Sequence, residues 1–254
     1  VARTTELLAE LVAALPDGPR GKVQGIPFRV EPEPAEINAY AGCERGRPFM
    51  AVTDGLLLAV DALARTRAHD EVFGTRTADR YASEVVPTLL RDPRATPALP
   101  ANMLPPATAF DPRVSSLARQ RAEEALGFTL AHEVAHHHLG HTGCANGESA
   151  FGQNAAQLGH LATSILPGLN QPNELAADNA GVWNLLDAGR RRPSGPRLTE
   201  QGGLMLLGFF GQLSAASGAR PLHPAAILKS HPNPQLRIPI VQNVAALWAQ
   251  SQPR

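Results

Sequence analysis

The sequence predicts an α+β fold, mostly helical, with one small β-sheet early in the chain. Three observations carry this expectation. Apolar residues recur at helical spacing over most of the 254 residues. Short runs rich in β-branched and aromatic residues, broken by Gly and Pro, are confined to the stretch around residues 22–55. No internal repeat divides the chain, so it reads as one domain, residues 1–254, long enough to bury a substantial core.

"TELLAELVAAL" at 5–15 places its apolar residues on one helical face behind a Thr cap. "KVQGIPFRV", "INAYAG" and "PFMAVTDGL" read as three short strands, and a helical pattern runs from Gly55 to about His69. Seven prolines in 87–112 leave no room for a regular element, which predicts a surface excursion there and a possible lid over a cleft. Asp111 then caps a long helix that opens on Pro112 and carries a histidine cluster on its last turns. Further helices are expected at 148–165, 172–189, 198–216 and 234–250.

Composition excludes several function classes. Acidic and basic residues balance at 23 each, so no overall field attracts nucleic acid or anionic lipid. "GLLLAVDALA" is interrupted by Asp61 and falls short of the ~20 apolar residues a membrane span requires. The chain starts at Val1 and not Met, so an upstream segment is expected to have been removed, by processing or by design of the expressed protein, with a signal peptide or membrane anchor as one candidate for it.

Five of the nine histidines lie in 132–141. On a helix His132 and His136 differ by about 40° in azimuth, one turn apart, so both imidazoles reach one ion. Glu133 sits about 60° from His136, beside that ion without ligating it. This is the HExxH arrangement of zinc hydrolases. His137, His138 and His141 point roughly 120° or more away and are not ligands on an unbroken helix. A catalytic zinc needs a third protein ligand. "NELAADNAG" offers Glu174 and Asp178, four apart on one helical face: one carboxylate to bind metal, the other to hold a ligand's second ring N–H. Asp178 fits the latter role toward His132.

Four patches in order, "INAYAG" with "PFMAVTDGLL", "HEVAHHHLGH", "ELAAD" and "SHPNPQLRI", resemble the gluzincin zinc metallopeptidases of the HtpX and CAAX prenyl protease (Ste24-type) family. The resemblance spans residues 38–238. It implies a zincin-like fold whose edge strand borders the active-site cleft, with one zinc held by His132, His136 and Glu174. Glu133 becomes the general base, Asp178 the partner of a ligand, and Asn38, Ala39, Tyr40 and Ala41 the strand on which an extended peptide or protein substrate is laid. Three readings stay open for the HP segment. Either His231 or Arg237 stabilises the developing oxyanion, or His231 takes the fourth zinc position and leaves a latent enzyme, or the segment is structural, with Pro232 and Pro234 shaping a turn and Arg237 capping or pairing locally. His141 is expected to pack at the helix end or support a ligand. Cys43 and Cys144 flank the strand and the zinc helix, neighbours in such a fold, so a disulfide between them is expected, placing the protein in the periplasm or outside the cell. The competing functional reading is a non-catalytic zinc domain that holds client polypeptides as a chaperone or assembly factor; a hydrolase of small non-peptide substrates would have no use for the edge strand. Membrane-embedded relatives carry spanning helices that this chain lacks.

Overall fold

The computed structural model describes residues 2–145, 148–149, 171–217, 228, 231 and 233–252. Helix α1 (Ala2–Ala14) buries Leu7, Leu8 and Leu11, the face its spacing predicts. A short α2 (Asp17–Val23) follows, unexpected because Gly18, Pro19 and Gly21 are poor helix formers. Pro19 is tolerated because it lies in the first turn, where its missing N–H has no intrahelical partner to lose. The helix also serves another element: Lys22 Nζ donates to the carbonyl of His138 at 3.1 Å.

Strands β1 (Phe28–Glu31), β2 (Ala39–Glu44) and β3 (Arg47–Thr53) form a sheet ordered β1-β3-β2. β3 pairs parallel with β1 and antiparallel with β2. The β2–β3 hairpin turns through Arg45 and Gly46, both at positive φ, the backbone a two-residue hairpin loop demands. β2 is therefore an edge strand, and among the described residues no strand pairs with its outer side.

α3 (Asp54–Phe73) starts at Thr53, whose hydroxyl accepts from the Leu56 N–H, and stops at left-handed Gly74. α4 (Thr77–Arg91) corrects the expected excursion at 87–112: residues 87–91 are helical, with Pro87 inside. An interior proline costs about 3 kcal/mol. Tyr81, Val85, Val86 and Leu89 line one buried face, and at ~1.5–3 kcal/mol each their burial outweighs that penalty. Residues 92–111 do not stand away from the protein either. Met103 and Leu104 are buried, Tyr81 donates to the Pro97 carbonyl, and His69 Nε2 meets Thr108 Oγ1 at 2.9 Å. This segment leads into Pro112, about 30 Å along the helix from His132 at 1.5 Å per residue, so it lies at the wrong end to cover the histidine cluster.

α5 (Pro112–His138) is the axis of the fold, capped by Asp111. Its first half is amphipathic, but from Glu124 to His137 almost every residue is buried. The histidine cluster therefore lies in the interior and not on a solvated helix end. α3, α6 (Gln171–Arg191), α7 (Gln201–Ser217) and α1 all pack on α5. α6 approaches closely at Gly181, where a Cβ would meet the His132 backbone nitrogen at 3.0 Å. α8 (Pro234–Ser251) packs on α6 and α7 and closes the described structure. One apolar cluster runs from Leu7 to Val244 through all these helices and the sheet. Cys43 and Cys144 are joined by a disulfide with Cα atoms 5.9 Å apart. Beyond it, β4 (Cys144–Ala145) and β5 (Glu148–Ser149) form a short antiparallel ladder. The helix expected at 148–165 otherwise lies outside the described residues. None of the described helices is long and apolar enough to cross a membrane.

Candidate metal centre

Three elements meet at the C-terminal end of α5. His132 and His136 project from one face of the helix, Glu174 comes from the first turn of α6, and His231 from the residues just before α8. All four are buried, with one ligand atom from each within 4.8 Å of the others. His132 Nε2 lies 3.0 Å from His136 Nε2, 3.2 Å from His231 Nδ1 and 3.3 Å from Glu174 Oε2. Glu174 is 3.3 Å from His136 Nε2 and 2.7 Å from His231 Nδ1. A tetrahedron around an ion with bonds of ~2.0–2.1 Å has edges of about 3.3–3.4 Å. Three imidazole nitrogens and a carboxylate oxygen so spaced fit a transition metal such as zinc.

The surrounding hydrogen bonds fix which nitrogens face the centre. His132 Nδ1 is 2.9 Å from Asp178 Oδ1. That contact takes the ring proton and leaves the Nε2 lone pair pointing inward. Arg237 donates through Nε and Nη2 to both Asp178 oxygens at 2.7 Å. Its guanidinium also lies 3.3 Å from His132 Nδ1; since a protonated Nδ1 cannot accept, the shorter Asp178 bond governs. His136 Nδ1 meets His141 Nδ1 at 3.0 Å, so His141 supports a ligand after the chain turns back at Gly140. His137 faces the sheet, its Nε2 3.0 Å from the Phe49 carbonyl and its Nδ1 3.1 Å from Thr142 Oγ1. Helical azimuth alone gives neither contact, because His141 lies beyond the helix end and Phe49 is far away in sequence.

Electrostatics favour a cation at the centre. Burial would raise the Glu174 carboxyl, but the His231 charge and hydrogen bonds from His132, His136 and His231 hold it far below the usual range. Burial also opposes ionisation of Asp178, yet the charge and hydrogen bonds of Arg237 keep it at about 2. Burial and Arg237 work against a charged His132; Asp178 and Glu174 prevail and raise it to about 9. Burial lowers His136 to about 4, leaving it a neutral ligand. Two carboxylates thus draw a proton onto His132, the place a metal's charge would take.

For Arg237 the oxyanion reading is corrected. The side chain pairs, as the structural reading has it, but with Asp178 on α6 and not locally, buried behind His132. It holds the residue that holds the ligand. His231 stands in the second of the positions considered for it, Nδ1 among the ligand atoms and Nε2 3.2 Å from the Ala39 carbonyl. Glu133 is buried beside it, Oε1 3.4 Å from His231 Nε2 and Oε2 without a hydrogen-bond partner. A buried carboxylate oxygen left without a donor implies something not yet bound.

The expected substrate strand borders this centre. The Asn38 carbonyl accepts from Thr53 N, so by alternation Tyr40, Gly42 and Glu44 address β3, while Ala39, Ala41 and Cys43 turn their backbone groups to the free edge. Asn38 donates through Nδ2 to Glu36, and its buried Oδ1 has no partner. The Tyr40 hydroxyl donates to Glu31 on the outer face.

The chain matches the description "Peptidase family M48" over residues 22–245. It belongs to peptidase family M48. The matched stretch takes in β1–β3, the α5 histidines, Glu174, Asp178, His231 and Arg237, so the family and the metal cluster rest on the same residues. No curated protein and no solved structure matches the chain.

Proposed function

We propose that this M48 member is a zinc-dependent endopeptidase of the gluzincin, HtpX-like kind that cleaves extended or unfolded polypeptides, with His231 holding the described state latent. The observation that carries the reading is the buried His132–His136–Glu174–His231 donor set beside a general-base carboxylate, Glu133, whose Oε2 has no donor.

Zinc, when bound, supplies Lewis-acid chemistry, polarising a carbonyl and acidifying water. The protein's residues do the rest. His132, His136 and Glu174 would hold the metal, and Asp178, Arg237 and His141 hold them in place. Glu133 takes the proton of the attacking water and later delivers it to the leaving amine. The outward N–H and C=O groups of Ala41 and Cys43 bind the backbone of an added strand regardless of its sequence. His231 blocks this twice: its Nδ1 fills the fourth donor position, and its Nε2 occupies the Ala39 carbonyl where the substrate strand would continue. Its departure frees both together.

The Cys43–Cys144 disulfide supports a periplasmic or extracellular location, where such bonds persist. A client-holding role without catalysis is the alternative, and Glu133 separates the two because holding has no use for a general base. Glu133→Gln should keep stoichiometric zinc while hydrolysis of unfolded casein falls by about 10²-fold or more. Undiminished hydrolysis in that variant would refute the assignment.

A further inference from the structure

The outer face of the sheet carries a structure that the metal chemistry does not use. Directly paired residues share a face, so Gly42, Phe49, Tyr40, Ala51 and Arg29 all lie on the side opposite the buried Ala39, Met50 and Val52. The Phe49 ring does not stand upright on β3. It leans across β2 until its tip lies over Gly42, where a Cβ would meet Cζ at 2.5 Å and Cε1 at 2.6 Å. Tyr40 meets the ring edge-on at 5.8 Å between centroids, and the Arg29 guanidinium stacks 4.5 Å from its centre. Glu31 holds both flanking residues, accepting from Tyr40 at 2.6 Å and from Arg29 at 3.0 Å.

From these contacts we infer that Phe49, laid over Gly42, is the specificity wall of a subsite that selects an apolar or aromatic substrate side chain about three residues from the scissile bond. The inference rests on the endopeptidase reading above and deepens it. Gly42 directs its backbone groups to β3, so in an antiparallel added strand it occupies a non-hydrogen-bonded position, where facing Cα atoms approach to ~4.5 Å. The substrate side chain there projects over Gly42 onto the ring tip. Glycine leaves the space that lets the ring reach the edge; any larger residue would hold it back on β3. Ala39, whose carbonyl touches His231, marks the reacting end of the strand. Gly42 is three residues further, ~10 Å at 3.3 Å per residue. Arg29 does not make the subsite acidic-selective, because Glu31 pairs with it and it stands on β1, two strands from the edge. Covering a glycine with a cross-strand aromatic also stabilises a sheet, so the test reads selectivity and not activity alone.

The test compares wild-type protein, Phe49→Ala and Phe49→Leu, each also in the His231→Ala background that frees the strand edge, on an unbiased peptide library, with cleavage sites mapped by mass spectrometry. The same peptides, carrying Phe, Leu, Ala or Asp at the mapped position, are titrated into Glu133→Gln protein and into its Phe49→Ala derivative by fluorescence anisotropy. The expected result is a preference of about tenfold for Phe or Leu over Ala at one position near three residues from the cut. Phe49→Ala removes that preference, and Phe49→Leu retains most of it. Cleavage without preference at that position, or with a preference that survives Phe49→Ala, overturns the subsite and leaves the endopeptidase reading standing. Peptide binding with Phe49-dependent preference but no cleavage in either background supports the subsite and removes catalysis. Neither cleavage nor binding in either background overturns both.

Discussion

His231 Nδ1 lies 2.7 Å from Glu174 Oε2 while its Nε2 lies 3.2 Å from the carbonyl of Ala39. One imidazole thus bridges the Glu174 carboxylate and the free edge of β2. Replacing it with alanine frees the fourth donor position and the strand together. His231→Ala should raise kcat/KM on unfolded protein by about tenfold or more, a gain of ~1.4 kcal/mol in transition-state stabilisation. Zinc should stay stoichiometric, because three ligands remain. Metal analysis alongside peptide kinetics checks this, and a fall in turnover would assign His231 to the reaction itself.

Arg237 and Asp178 are argued to act through His132. Arg237→Lys preserves the charge but loses the two-point contact with Asp178. The expected effect is a 10–100-fold weaker zinc affinity, roughly what removal of a ligand's supporting partner produces. Asp178→Asn should do likewise and also strand the Arg237 charge, destabilising the fold by about 3–5 kcal/mol. Competition with a fluorescent chelator reads the first, urea unfolding the second. An oxyanion role for Arg237 predicts instead unchanged zinc affinity and a loss confined to kcat.

The pH dependence of the metal-free protein has a definite sign. Burial lowers His136 from 6.5 to about 4 and lowers His137 in the same direction. Each takes up its proton in the unfolded chain first, so stability falls as pH drops from 6.5 toward 4, by at most ~1.4 kcal/mol per unit for each group. His132 is shifted upward to about 9; below 6.5 it is protonated in both states and adds no slope in that window. Its contribution is lost as pH rises through about 9. Thermal unfolding of chelator-treated protein between pH 7 and 4.5 should therefore show a steadily falling midpoint, and a flat or rising one would contradict the buried neutral imidazoles.

The disulfide closes a sequence separation of 101 residues between β2 and the residues just past α5. Chain entropy assigns about 4–5 kcal/mol to a loop of that size. A Cys43→Ser, Cys144→Ser double variant should unfold at clearly lower urea concentration than the parent. Equal midpoints would mean that the bond contributes nothing to holding β2 against α5.

Much of the site was legible in the chain because it depends on helical periodicity. His132 and His136 share a face at any i, i+4 spacing, and Glu174 and Asp178 repeat the relation on a second helix. The three early strands were equally visible, since β-branched and aromatic runs between Gly and Pro have few other uses. Proline misled in one place. Pro87 suggested irregular chain, but it lies inside a helix held by the burial of Tyr81, Val86 and Leu89.

What the sequence determined by itself is the donor chemistry: two imidazoles and a carboxylate at helical spacing, with a second carboxylate, Glu133, between the imidazoles, whatever the rest of the chain does. Tertiary structure decided which groups stand around that chemistry. Arg237 went to Asp178 and not to the reacting carbonyl, His231 filled the fourth position, and Phe49 leaned across a strand to lie over Gly42. Periodicity reports only direction around one element's axis. These contacts join residues of separate elements, and their partners are chosen when the core packs and buried charges must find counter-charges.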